Sequence, residues 1–162
     1  MKALIAHGAA VGQEMPVLKA VIRTNEEQPR RVVDLLKKHW PDLRQRRVAV
    51  LGLAFKPGTS DVRESPAFPI LRELEREGAI LTAHDPVAIP EAKAALPDSK
   101  ATYCATLEEA LENVDAVIVV TPWEQFRSVP TLLRGRQTAP VFIDCRRAFD
   151  KNSVNRYEGI GL

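Results

Sequence analysis

The 162 residues (18.0 kDa) amount to one domain, or one domain with an appendage, and 45% hydrophobic with 27% charged residues argues against wholesale disorder. A net charge of +2 is low for a nucleic-acid binder, no run approaches the ~18 apolar residues of a membrane span, and the apolar stretch after Lys2 is too short for a signal peptide. Cys104 and Cys145 form no Cys-x-x-Cys, so neither a disulfide scaffold nor a zinc site is expected, and the composition suggests a reduced, cytosolic chain.

The first 45 residues read as helix. Residues 2–11 are rich in Ala, Leu and Val, and Gly12 suits a helix end. Pro16 opens a second pattern, in which Leu18, Val21, Ile22, Val32, Val33, Leu36 and Trp40 recur at helical steps. Pro29 predicts a kink near residues 25–29, or two helices in series, because it lacks an N–H and crowds the carbonyl four residues back. The stripe could pack on the rest of the chain or supply a dimer surface, and periodicity alone does not choose.

From residue 46 the pattern alternates. Strands are expected at 47–53, 79–84, 101–103, 115–120 and 140–144. Helices are expected after Ser65-Pro66, which reads as an N-cap and first turn, and over 89–96. Thr106 to Glu109 reads as a capping box, and Thr121-Pro-Trp-Glu124 as a second one. Strands separated by helices imply a Rossmann-like α/β fold, a parallel sheet flanked by helices, with ligands beyond the carboxyl ends of the strands.

The loops at those ends carry the chemistry. The loop at 52–65 lies where a dinucleotide fold places Gly-x-Gly-x-x-Gly, but has only Gly52 and Gly58. Its Lys56 and Arg63 suit an anion, or are solvated loop charges. Asp85 stands where a ribose-binding acid would, but without the glycine fingerprint it reads better as a cap for the turn at Pro86. Arg146 and Arg147 are candidate phosphate contacts, one of which could pair with Asp144. Cys145 has no histidine nearby in sequence to activate it and reads as a quiet thiol. Glu108 and Glu109 look like a capped helix start, and Trp123 and Phe126 like packing residues.

Taken together, these loops resemble a known family. Val-Leu-Gly-Leu-Ala-Phe-Lys-Pro-Gly-Thr-Ser-Asp-Val-Arg-Glu-Ser-Pro (50–66) is similar to the segment that opens the C-terminal domain of nucleotide-sugar 6-dehydrogenases. His-Asp-Pro-Val-Ala (84–88), Val-Val-Thr-Pro-Trp-Glu-Gln-Phe-Arg (119–127), Asp-Cys-Arg-Arg (144–147) and Tyr-Glu-Gly-Ile-Gly (157–161) follow in the family's order. The wording leans toward the UDP-glucose 6-dehydrogenases, with the GDP-mannose and UDP-N-acetylmannosamine enzymes as near alternatives. Residues 18–28 resemble the end of the family's long central helix.

The resemblance implies residues 1–45 as the end of a central dimerisation helix region and 46–162 as a nucleotide-sugar (UDP)-binding domain. It implies Phe55, Lys56 and Arg146 as substrate contacts, Arg63 as a residue reaching toward NAD, and a homodimer formed through the N-terminal helices. Such enzymes oxidise the sugar C6 alcohol twice, to a carboxylate, using NAD and a cysteine that forms a thiohemiacetal and then a thioester. The family's cysteine segment would fall just before the residues matching 1–4, and neither Cys104 nor Cys145 matches the nucleophile. The expectation is therefore a C-terminal substrate-binding portion without catalytic residues, inactive alone. The family usually has glycine at the position of Cys145, often asparagine at Arg147, and an unbroken helix across Pro29. Two other readings compete: a free-standing nucleotide-sugar-binding or dimerising module, and a self-sufficient NAD-dependent oxidoreductase, which the missing glycine fingerprint opposes.

Overall fold

The computed structural model describes residues 1–160, so Gly161, the end of the last family-like segment, lies outside the described residues. Six parallel strands form one sheet in the order β3-β2-β1-β4-β5-β6. They are β1 (Arg47–Leu51), β2 (Ile80–His84), β3 (Thr102–Tyr103), β4 (Ala116–Val119), β5 (Val141–Asp144) and β6 (Tyr157–Gly159). The helices are α1 (Lys2–Ala10), α2 (Pro16–His39), α3 (Ala67–Arg76), α4 (Ile89–Ala95), α5 (Leu107–Ala110) and α6 (Val129–Leu133). This is the Rossmann order, and it reverses direction between β1 and β4, where such sheets open a crevice at their carboxyl ends. No helix among the described residues is long and apolar enough to cross a membrane.

The central strands are apolar throughout because both faces are covered. Val48, Val50, Ile118 and Ile143 face one core, with Ile70, Leu71 and Leu74 of α3. Ala49, Leu51, Val117, Val119 and Phe142 face the other, with Leu107 of α5, Leu111 and Val129 of α6. The second half of α2 joins the first core: Val32, Val33 and Leu36 are buried against it, and α2 touches both α3 and β5. The first half does not: of the stripe there, Val21 is exposed and Leu18 and Ile22 are half-buried, and the neighbouring Val17 is 73% exposed. Leu4 of α1 and Val11 after it are exposed as well. The apolar stripe thus runs from a packed end to a largely uncovered one.

Pro29 does not split α2, which runs unbroken from Pro16 to His39. An interior proline costs ~3 kcal/mol. Burying Val32, Val33 and Leu36 returns about 1.5–3 kcal/mol each, enough to carry the helix through. The expected capping box at Thr106 is present: its Oγ1 accepts from Glu109 N at 3.2 Å, and Glu109 Oε2 accepts from Thr106 N at 3.3 Å. The one expected at Thr121 is not. Thr121 is buried, and Glu124 opens a 3₁₀ turn instead. Ser65 lies one residue before the N-cap of α3, Pro66, and its Oγ accepts from Ala67 N at 3.3 Å.

Beyond the expected strands, β6 adds an edge of three residues alongside β5. Tyr157 stacks on Phe142 and donates to Asp144 at 3.1 Å. The end of α2 is fastened to this edge, since His39 Nε2 meets Glu158 Oε1 at 2.9 Å and Arg156 Nη2 donates to His39 Nδ1 at 3.1 Å.

Candidate functional site

Gly52, the residue after β1, has φ +87°, a left-handed conformation that spares only glycine a steric cost. A Cβ on it would sit 2.4 Å from the Thr121 carbonyl oxygen and 2.6 Å from Thr121 N. The loop leaving β1 is therefore pressed against the end of β4, at the switch point itself. Thr121 Oγ1 adds a bond across the same seam, donating to Ala54 O at 2.6 Å.

Past Ala54 the chain closes a small lobe. Phe55 N donates to Asp61 O at 2.8 Å, and Thr59 Oγ1 accepts from Asp61 N at 3.1 Å. Phe55 is 48% exposed, a large apolar side chain left open to solvent. Lys56 is exposed and has no hydrogen bond or ion pair among the described residues. Arg63 is turned locally instead. Its Nε and Nη2 grip Asp61 at 2.9 and 2.7 Å, and this pairing holds the Asp61 carboxyl down at about 2.

Arg146 stands beyond the end of β5 and reaches back along the rim. Its Nε donates to Val120 O at 3.2 Å, just past β4, and the rest of its guanidinium is free of bonds among the described residues. Val120 N in turn donates to Leu51 O at 2.8 Å, so Arg146 lies over the strand next to β1. Phe55 and Lys56 thus follow β1 and Arg146 follows β5, all beyond the carboxyl ends of the strands, while Arg63 is exposed and paired with Asp61. Asp144 takes the backbone N–H groups of Arg146 (3.0 Å) and Phe149 (2.9 Å) along with the Tyr157 hydroxyl. Arg147 Nε donates to Ile160 O at 3.3 Å, and its φ of +54° is a backbone state in which asparagine is enriched.

Cys145 is partly buried, and desolvation together with the Asp144 charge pushes its thiol up to about 12, a value at which it is no nucleophile at neutral pH. His84 is buried as well. Its Nδ1 donates to the Cys104 carbonyl at 3.0 Å, and its Nε2 meets the Gln125 side-chain amide at 2.9 Å. Asp85 is internal, as expected of a turn cap, but holds more than one turn, and the sequence alone carried no sign of its other partners. A concavity of about 670 Å³ lined by Glu108, Glu112 and Arg136 lies at the amino ends of the strands, away from this rim.

The chain is also similar to known proteins. The model of the UDP-glucose/GDP-mannose dehydrogenase family, UDP binding domain, matches residues 49–151. A UDP-glucose 6-dehydrogenase of Haloferax volcanii is 37% identical over 98% of the chain, and one of Bacillus subtilis 39% identical over 98%. The chain spans about 36% and 35% of those relatives' length. Among solved structures, a UDP-glucose dehydrogenase from Pyrobaculum islandicum is 40% identical over 97% of this chain and 35% of its own, with a TM-score of 0.83. A GDP-mannose dehydrogenase from Pseudomonas aeruginosa, 23% identical with a TM-score of 0.79, covers 99% of the chain and 37% of its own, and shares the fold. This chain belongs to the UDP-glucose/GDP-mannose dehydrogenase family and carries its UDP binding domain.

Proposed function

We propose that the chain is the substrate-holding portion of an NAD-dependent UDP-glucose 6-dehydrogenase. Residues 46–162 would grip the nucleotide diphosphate, and residues 1–45 would form a homodimer in a cytosolic setting. The observation that carries this reading is the exposed Lys56 in the loop after β1, together with the Arg146 guanidinium turned from β5 back over Val120, at the switch point of a Rossmann-ordered sheet. Two cations at a strand-end crevice suit a pyrophosphate, which offers several acceptor oxygens to point charges and forked donors alike. Phe55 supplies an apolar face for the base or sugar. Binding energy spent there, remote from C6, would orient the reacting carbon. The exposed Leu4, Val11 and Val17 support the dimer.

The chain's own residues do not fit a dinucleotide site. There is no glycine fingerprint, and the acid at the end of β2 is committed to internal donors. Arg63 is the side chain we place toward NAD, and it would have to leave Asp61 to reach it. No NADH production is expected from the chain alone.

Isothermal titration with UDP, GDP and NAD tests the assignment. UDP should bind more tightly than GDP or NAD, and Lys56→Glu should weaken it at least tenfold. Equal affinity for all three, or none for any, would remove the nucleotide assignment, and an unchanged constant in Lys56→Glu would return that lysine to the solvent.

A further inference from the structure

The carboxylate of Asp85 is 1% exposed and takes five donors from three different loops. Oδ2 accepts Leu53 N at 2.7 Å, Ala54 N at 3.0 Å and the Trp123 indole N–H at 3.1 Å. Oδ1 accepts Val87 N at 3.0 Å and Ala88 N at 2.9 Å. These donors follow β1, β4 and β2 respectively. A carboxylate offers about four lone-pair sites, so five donors saturate it. In a dinucleotide-binding sheet the acid at this place faces outward and binds a ribose. Here it is turned inward and has no acceptor capacity left.

We propose that Asp85 is a positioning residue for the proposed UDP site. It holds the Leu53 and Ala54 amides of the β1 loop, so that Phe55 and Lys56, the next two residues, project from a fixed base. By the same saturation it closes the ribose subsite of this domain. The placement gives the β1 loop a second determinant beside Gly52: the buried carboxylate of Asp85 fixes the path of Leu53 and Ala54, where the glycine fingerprint is missing. Loss of the acid would orphan the Leu53 and Ala54 amides, which are buried and would seek water by opening the loop. This proposal rests on the nucleotide reading for its effect on binding, but not for its effect on the loop.

The experiment combines amide hydrogen exchange and UDP titration on the full chain and its Asp85→Asn variant. Exchange should accelerate at least tenfold over residues 53–62 while the amides of β4 and β5 stay protected. The dissociation constant for UDP should rise about tenfold in the native background but less than twofold in Lys56→Ala, because Asp85 acts through the loop that bears Lys56. If Asp85→Asn does not fold, Asp85→Glu keeps the charge but moves both oxygens, and should loosen the same amides selectively. Acceleration spread evenly over the sheet, or unchanged exchange at Leu53 and Ala54 in the variant that folds, would overturn the proposal. So would an equal loss of UDP affinity in both backgrounds. If the native chain binds no UDP, the nucleotide reading fails by itself and the exchange data still decide the role of Asp85.

Discussion

Substituting Gly52 by alanine should cost far more stability than the same change at Gly58. Both glycines have positive φ, +87° and +82°, so each alanine pays ~1–2 kcal/mol for a left-handed backbone, partly offset by ~0.4–1 kcal/mol from the unfolded chain's lost freedom. At Gly58 nothing lies within 4 Å of the added Cβ, and the net loss should be about 1 kcal/mol. At Gly52 the methyl meets three atoms of Thr121 at 2.4, 2.6 and 2.7 Å. Thr121 cannot yield cheaply, because its Oγ1 bond to Ala54 and its carbonyl bond from Trp123 N at 3.0 Å hold it. Overpacking of this kind adds roughly 1–3 kcal/mol, so Gly52→Ala should lose about 2–4 kcal/mol in all. Urea unfolding followed by the fluorescence of Trp40 and Trp123 would measure both. Losses within 1 kcal/mol of each other would refute the claim that the β1 loop is pressed onto β4.

Leu36→Ala, in the packed half of α2 and fully buried, should cost about 3–4 kcal/mol, whereas Val17→Ser in the largely uncovered half should change the monomer's stability by less than about 0.5 kcal/mol; comparable losses in urea titrations would show that both halves are packed. Cys145 should resist a thiol reagent at pH 8 in the folded chain and react once unfolded; stoichiometric labelling of both thiols in the native protein would contradict its burial. Stability should fall as pH rises from about 9 toward 12. There the unfolded chain has released the Cys145 and Tyr157 protons while the folded chain, with both groups raised to about 12, retains them, so the unfolded state binds fewer protons and gains; a stability flat across that window would contradict both shifts. Glu64 holds φ +57° with only an exposed ion pair to Lys2, so Glu64→Asn should gain about 0.5 kcal/mol, and a loss in the same titration would mean its side chain packs.

The proposed rim is a surface assembled from three loops, and its parts differ in how visible they were. Phe55 and Lys56 could be picked out because they follow a strand that announces itself through an unbroken apolar run. Arg146 likewise follows β5. That its guanidinium turns back over β4 depends on which strand neighbours β5, and no residue near position 146 records it. Asp85 was legible as a turn cap from the Pro86 beside it, but its bonds to Leu53, Ala54 and Trp123 come from positions more than 30 residues away.

The sequence by itself determined the kind and order of most elements: the buried parallel strands, the capping box at Thr106, the lack of a glycine fingerprint, and the family. These follow from periodicity and from contacts within a few residues, which a linear reading contains. Tertiary structure alone decided the rest. It carried α2 through Pro29 by burying Val32, Val33 and Leu36, and it made a strand of Tyr157–Gly159, three residues with no apolar run, by offering them the open edge of β5. It also turned a strand-end aspartate into the anchor of a loop. Each of these outcomes needs a partner from a distant part of the chain, and only the folded sheet specifies which residues meet.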